Sequence, residues 1–188
     1  MKIAYIDIET TGLSIFRAGI IQIGCILEID NHVKVTLNLE ITPFPEDKWE
    51  DKARGMIIAK GKDPDDPKRD SPSIAYQKFT LVLDRLIDKF NPKDKFHFCG
   101  YNSNSFDMPF LRKFFIKNND KFFGSYFFAP SLDVMLLAAV KMRRQRASLE
   151  NFKLVTIARA LGIEVDEKRL HDALYDIEIT REMFKRLI

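Results

Sequence analysis

The order of apolar and polar positions predicts strands in the first quarter of the chain. Residues 2 to 8 form an apolar run that ends at the turn signal Thr10-Thr11-Gly12. Residues 18–30 and 32–41 are rich in β-branched side chains and meet at Asp30-Asn31, a pair typical of a tight hairpin. We therefore predict three antiparallel strands.

The stretch 43–72 interrupts this pattern with prolines and mixed charges. We predict a long surface excursion there, with a short helix around Lys52 to Ala59. A second helix is predicted from Ser71, because a serine N-cap is followed by Pro72 and apolar residues then recur at helical spacing as far as Asn91-Pro92.

The rest of the chain alternates short strands with helices. The predicted elements are a buried strand at 96–100, a helix capped by Ser105 that ends near Asn118-Asn119, a short strand and then a helix from about Ser131, a helix over "NFKLVTIARALGI" that stops at Gly162, and a last helix over 172–188. Three strands followed by strands separated by helices indicate an α/β sandwich with a mixed sheet. The length of 188 residues fits one domain, which we place at 1–188.

Composition narrows the class of protein. The apolar fraction of 46% and the charged fraction of 30% are typical of a soluble globular protein, and no apolar run is long enough to cross a membrane. Cys25 and Cys99 lie in apolar strands without disulfide or zinc-site spacing, so we expect a reduced, cytoplasmic protein. The net charge of +3 permits a nucleic-acid partner without requiring one.

Two acids, Asp7 and Glu9, lie in the first strand among isoleucines. Alternate side chains of a strand point to the same face, so both carboxylates share one face beside the core. Such a pair is unfavourable unless a cation lies between the acids, which indicates a metal site. Taken alone, the pair is also explained by an edge strand with a solvated acidic face.

Three further residues fit the same site. Asp107 lies in the first turn of the helix after strand 96–100, where it binds a ligand or complements the helix dipole. Asp176 adjoins the apolar stripe of the last helix, and His171, just before that helix, is either a surface histidine or a base. Together the four carboxylates and the histidine suit a two-metal hydrolase, with oxygen ligands that favour Mg²⁺ or Mn²⁺.

Three segments also resemble a known family. D-I-E-T-T-G-L (7–13), N-S-N-S-F-D (102–107) and H-D-A-L-Y-D (171–176) resemble the exonuclease motifs of the DEDDh 3′-to-5′ exonucleases, the ribonuclease H-like group that includes the epsilon proofreading subunit of bacterial DNA polymerase III. The resemblance implies a three-layer sandwich with a central mixed five-stranded sheet flanked by helices. Gln22 departs from the pattern, since many relatives carry an acid there, and 43–72 does not align with it.

The resemblance implies a role for each motif residue. Asp7, Glu9, Asp107 and Asp176 would bind two Mg²⁺ or Mn²⁺ ions, and His171 would be the general base. Five residues are implied in substrate binding: Thr10, Thr11, Leu13, Asn102 and Phe106. In the family Leu13 would wedge against the last bases, and Asn102 would contact the substrate backbone or order the second motif, while Asp133 would be structural.

From these residues and the resemblance, we predict that the protein is a metal-dependent 3′-to-5′ exonuclease that releases nucleoside 5′-monophosphates from single-stranded or frayed DNA. We expect a role in DNA replication, proofreading or repair beside a DNA polymerase or repair complex. An exoribonuclease that trims RNA ends is the alternative, because contacts to the 2′-hydroxyl cannot be placed from sequence. A non-catalytic nucleic-acid-binding module is disfavoured because all five catalytic residues are present. The basic stretch 141–146 either contacts phosphates or is a solvated helix end.

Overall fold

A computed structural model describes residues 1–188. The strands form one five-stranded sheet, and helices cover both of its faces. The strands are β1 (Lys2–Thr10), β2 (Ile20–Ile29), β3 (His32–Glu40), β4 (Phe96–Gly100) and β5 (Phe127–Asp133). The helices are α1 (Asp51–Ala59), α2 (Pro72–Asp84), α3 (Asp107–Lys117), α4 (Phe123–Tyr126), α5 (Val134–Lys141), α6 (Leu154–Ala160) and α7 (Ala173–Leu187). No helix combines the length and the apolar character needed to cross a bilayer.

The sheet order is β3-β2-β1-β4-β5. Strand β2 is antiparallel to both of its neighbours, β1 and β3, whereas β4 is parallel to its neighbours β1 and β5. The hairpin between β2 and β3 turns at Asp30 and Asn31, whose φ angles of 49° and 64° are those of a primed two-residue turn. The mixed five-stranded sheet and the α/β class are therefore as predicted.

Both faces of the sheet are covered by apolar packing. Even-numbered residues of β1, among them Ile6 and Ile8, belong to the core formed with α2 and α3. Of the odd-numbered residues, Ile3 and Tyr5 belong to a second core formed with α5, α6 and α7. This alternation follows from the two-residue period of a strand and produces the predicted three layers.

Four helix boundaries differ from the prediction. Helix α6 begins at Leu154 rather than Asn151, because the Asn151 side-chain oxygen accepts from the Lys153 N–H at 3.0 Å in a local turn before it. Helix α2 ends at Asp84, and Phe90, which continues the helical spacing, is 86% exposed. The segment beyond it turns because the Asp88 carboxylate accepts from the Phe90 N–H at 3.0 Å, a local side-chain bond that competes with the helix.

The other two differences lie near predicted caps. Phe106, not Ser105, is the N-cap of α3, because the chain still turns through 101–106 after β4. Helix α5 begins at Val134 rather than near Ser131, because β5 pairs with β4 up to Asp133 and the Asp133 carboxylate then accepts from the Met135 N–H. Asp133 is therefore a helix cap, in keeping with its expected structural role.

The excursion at 43–72 is closed at its base. The Thr42 N–H donates to the Asp70 carbonyl at 2.9 Å, and the Asp70 N–H donates to the Glu40 carbonyl at 3.0 Å. Between these ends lies α1, over Asp51–Ala59, close to the predicted short helix. The two ends of the excursion are therefore bonded to each other beside β3.

Gly24 allows α7 to approach the sheet closely. It pairs with Asp7 across β1 and β2, and a Cβ atom placed on it would lie 2.4 Å from the carbonyl carbon of Ala173. The first turn of α7 therefore rests directly on β2, opposite the acidic end of β1.

We predict that Gly24→Ala destabilises the protein, because the new methyl group meets backbone that cannot move without displacing α7. The free energy of unfolding, measured by urea denaturation, should fall by about 1–3 kcal/mol or more. Gly55→Ala is the matched control, since Gly55 lies in α1 with open space around it and alanine favours a helix by up to about 1 kcal/mol. Equal stability of the two variants would contradict the close contact.

Candidate active site

A cleft of about 350 Å³ opens where β1 and β4 end. Carboxyl ends of parallel strands are where α/β folds usually place their sites. The cleft contains every residue predicted for catalysis: Asp7, Glu9, Asp107, His171 and Asp176.

Asp7 and Glu9 reach the cleft because they continue the face of β1 that packs against α7. Ile8 between them points into the opposite core and is 5% exposed. The pairing register of β1 with β2 shifts between Glu9 and Thr10, where the strand leaves regular pairing at the rim of the cleft. The two acids thus share one face, as predicted from the alternation of side chains.

Asp107 is held by the strand that carries the first pair of acids. Its Oδ1 atom accepts from the Ile8 N–H at 3.2 Å, and the residue is only 2% exposed. The Met108 N–H donates to the Ser103 carbonyl at 3.0 Å, so the turn after β4 fixes the start of α3. Asp107 is therefore aimed at β1 rather than at solvent.

Asp176 and His171 come from α7 and from the turn before it. The Asp172 side chain caps the helix by accepting from the Tyr175 N–H at 3.3 Å. His171 has a φ of 59°, and its N–H donates to Asp176 Oδ2 at 3.0 Å. This bond ties the exposed histidine to the carboxylate one turn into the helix.

Side-chain ligand atoms of Glu9, His171 and Asp176 all lie within 4.8 Å of one another. Asp176 Oδ1 is buried and has no hydrogen-bond partner. An orphaned carboxylate oxygen beside other ligand atoms is costly unless a cation or proton satisfies it. The residues therefore fit a hard divalent cation, and Asp7 and Asp107 line the same cleft outside this closest group.

The electrostatics of the cleft agree with that fit. Burial raises the pKa of Glu9 to about 8, assisted by the charge of Asp176. Burial raises the pKa of Asp107 to about 7 and that of Asp176 to about 6. The pKa of Asp7 lies well above its usual range because of burial and then the nearby Asp107 and Asp176. Clusters of acids with raised pKa values mark functional sites.

His171 differs from the acids in the direction of its shift. Burial lowers the pKa of the imidazole, and the positive charge of Lys60 lowers it further. A lowered pKa keeps the ring neutral near pH 7, which is the state that can accept a proton.

Four of the five residues predicted for substrate binding line the cleft: Thr10, Leu13, Asn102 and Phe106. Leu13 is 77% exposed at its mouth. Asn102 has a φ of 59°, and its N–H donates to Asp133 Oδ1 at 3.0 Å, so Asp133 orders the second motif.

Thr11 does not reach the cleft. It is fully buried, its hydroxyl donates to the Lys48 carbonyl at 2.8 Å, and the same oxygen accepts from the Gly19 N–H at 2.9 Å. The structure therefore places this hydroxyl in the support of the turn after β1, away from the substrate side.

The excursion supplies a wall of the cleft that the sequence did not predict. Its lining residues are Glu50, Lys52, Ala53, Met56, Ile57 and Lys60. Glu50 also accepts from the Leu13 N–H at 3.1 Å, which joins this wall to the turn after β1. The one sequence signal for this wall is the length of the excursion. A loop of this length is often functional, but its length does not indicate which of its residues contact the cleft. The basic stretch 141–146 begins at the last residue of α5, Lys141, and does not line the cleft.

Comparisons with known proteins agree with this architecture. A family model described as exonuclease matches residues 4–184. Two relatives named ribonuclease T, from Shewanella denitrificans and Baumannia cicadellinicola, are 27% and 28% identical over 97% of this chain and 78% and 81% of their own length.

Solved structures of E. coli exonuclease I share the fold. The complex with a dT13 oligonucleotide matches 98% of this chain with a TM-score of 0.75 and 19% identity, and a zinc-bound complex with single-stranded DNA matches 99% with a TM-score of 0.76. This chain spans 40% of either exonuclease I chain. The predicted ribonuclease H-like exonuclease fold is thus confirmed.

We predict that the clustered acids make the metal-free protein less stable as pH rises. Unfolded Glu9 ionises near pH 4.5, whereas the folded residue keeps its proton to about pH 8. Between these values the folded state binds more protons than the unfolded state, so its stability falls with rising pH. In EDTA, Glu9→Gln should therefore gain free energy of unfolding relative to wild type, by on the order of 2–4 kcal/mol between pH 4 and pH 8.

Urea denaturation of both proteins at several pH values measures this difference. Mg²⁺ or Mn²⁺ should restore the stability of the wild type more than that of Glu9→Gln. Parallel curves for the two proteins, with and without cation, would contradict a charged cation site at Glu9.

Proposed function

Because the chain belongs to the exonuclease family, we propose that it is a metal-dependent 3′-to-5′ exonuclease acting on single-stranded nucleic acid. The observation that carries the proposal is the convergence of four carboxylates and one histidine, drawn from β1, α3, α7 and the turn before α7, on one open cleft. The reaction would be hydrolysis of the terminal phosphodiester with release of a nucleoside 5′-monophosphate.

Asp7, Glu9, Asp107 and Asp176 would hold two Mg²⁺ or Mn²⁺ ions. Bound there, such ions stabilise the attacking and leaving oxygens of a phosphoryl displacement. The support for this ligand set is the orphaned Asp176 Oδ1 and the raised pKa values of all four acids.

His171 would act as the general base. Its imidazole is exposed at the cleft, its lowered pKa favours the neutral ring, and its backbone N–H is fixed by Asp176. The ring would take a proton from the attacking water and pass it to solvent, for which the exposed position is suited.

The cleft is open at Leu13, where the last bases of the substrate would lie. Leu13 offers an apolar edge, and Thr10, Asn102 and Phe106 line the same cleft.

We propose single-stranded or frayed DNA as the first substrate, in replication, proofreading or repair beside a DNA polymerase or repair complex. RNA 3′ ends are the second candidate, favoured by the two ribonuclease T relatives that match 97% of this chain. The buried, unpaired Cys25 and Cys99 support a reducing, cytoplasmic location.

We predict progressive shortening of a 5′-labelled oligonucleotide in Mg²⁺ or Mn²⁺ and none in EDTA. DNA and RNA of matched sequence, single-stranded and as mismatched duplexes, should be compared on denaturing gels. His171→Ala should lower kcat by about 10²–10⁴-fold, because a positioned proton acceptor is lost. Asp7→Asn should reduce activity to the level seen in EDTA.

Three outcomes of this assay would contradict the proposal. No degradation of any substrate with either cation would refute the enzyme and favour a non-catalytic binding module. Activity that survives Asp7→Asn or His171→Ala would refute the residue assignment. Shortening of a 3′-labelled strand only from its 5′ end would refute the polarity.

We further predict that Leu13→Ala weakens substrate use without harming the fold. Removing an exposed apolar side chain that contacts a base should lower kcat/KM by about 10-fold, since such contacts contribute about 1–3 kcal/mol. Phe90→Ala is the control, because Phe90 is also exposed but lies outside the cleft. Equal kcat/KM values for the two variants would remove Leu13 from the substrate site.

A further inference from the structure

We infer that the excursion holds the general base in position: the Lys60–Lys62 segment bonds to the residues on both sides of His171 and is a positioning element of the site. The sequence motifs do not include this segment, and nothing in the family motifs assigns it a role. The inference rests on the proposed function for its kinetic consequence, while the attachment itself is a property of the fold.

Lys60 bonds to the residue before the histidine. It follows α1 as its C-cap, and its ammonium group donates to the Leu170 carbonyl, 110 residues away in sequence. Gly61, with a φ of 70°, turns the chain immediately after it. A lysine on the excursion is thus joined to the backbone of the turn that carries His171.

Lys62 bonds to the residue after the histidine. Its ammonium group lies 3.4 Å from Asp172 Oδ2 and 3.4 Å from Glu40 Oε1. Asp172 is also the N-cap of α7, and the Gln22 amide donates to its Oδ2 atom at 3.2 Å. Lys62 and Gln22 therefore hold the same carboxylate from the excursion and from β2.

Gln22 gains a role from this arrangement. Its amide also donates to Asn38 at 2.8 Å, and its carbonyl oxygen accepts from the Ala173 N–H at 3.4 Å. An acid at position 22 would repel Asp172, whereas a glutamine can donate to it. The residue that departed from the family pattern is thus part of the anchor for α7.

The turn at His171 needs such support. The histidine is exposed and adopts a positive φ, a conformation that is unfavourable for a non-glycine residue and persists when its surroundings fix it. It is held directly by one hydrogen bond, from its N–H to Asp176 Oδ2. Bonds at Leu170 and Asp172 restrict the backbone on either side, so the residue that carries the imidazole is held beside Glu9 and Asp176.

The first test measures the attachment without reference to activity. Hydrogen–deuterium exchange of peptides covering 166–176 should be followed in wild type, Lys60→Met, Lys62→Met and the double variant. Exchange at 170–172 should rise by about 3- to 10-fold in the double variant, because the turn opens more easily when the bonds from Lys60 and Lys62 are lost. Lys68→Met is the matched control, since Lys68 lies exposed in the same excursion and its side chain makes no bond.

The second test separates positioning from substrate contact. On a single-stranded oligonucleotide with Mg²⁺, the double variant should lose about 10-fold or more in kcat while KM changes less than about twofold, because the two lysines act on the turn that carries the base and not on the substrate. Lys60→Arg, which still donates a hydrogen bond, should recover most of kcat. Lys68→Met should match wild type.

Unchanged exchange at 170–172 in the double variant would overturn the inference. A raised KM with unchanged kcat would also overturn it and would make Lys60 a substrate contact. An inactive wild type would refute the proposed function alone, since the exchange measurement would still decide whether the segment holds the turn.

Discussion

The burial of four carboxylates in one cleft is the constraint around which this fold is organised at its active end. Each acid is partly or fully buried, so burial and neighbouring charge both oppose ionisation. Acids in this situation stay together only when the backbone that carries them is fixed by other interactions. Here β1 lies in the middle of the sheet between two apolar cores, and α7 is pressed onto β2 at Gly24. The free-energy cost of burying these acids is therefore offset by apolar packing elsewhere in the molecule.

The same constraint explains why the hydrogen bonds of the site run from backbone to carboxylate. Ile8 donates to Asp107 and His171 donates to Asp176, so two of the four acids are oriented by a main-chain N–H of another residue of the site. One oxygen of Asp176 is left without a partner. This oxygen keeps both lone pairs free for the cation that the proposed function requires.

Much of this could be predicted from the sequence because the relevant signals are local. The alternation in β1 placed Asp7 and Glu9 on one face, and the turn residues Asp30 and Asn31 gave the hairpin. Predictions failed where a side chain competes with regular structure over a few residues. Asp88 turns the chain after α2 although apolar spacing continues to Phe90, and Asp133 moves the start of α5 by three residues. Such bonds depend on geometry that composition and period do not encode.

Contacts between distant parts of the chain were the other source of error. Thr11 lies inside a motif whose neighbours line the cleft, yet its hydroxyl bonds to Lys48 and Gly19, which only the fold brings near. The excursion carries no recognisable motif, yet Glu50 holds the turn after β1 and Lys60 reaches the turn before α7. The motif residues therefore form one wall of the cleft and the excursion forms the other. If the motif wall carries the chemistry, as proposed, a change in the excursion would alter the shape of the cleft and leave the proposed cation ligands in place.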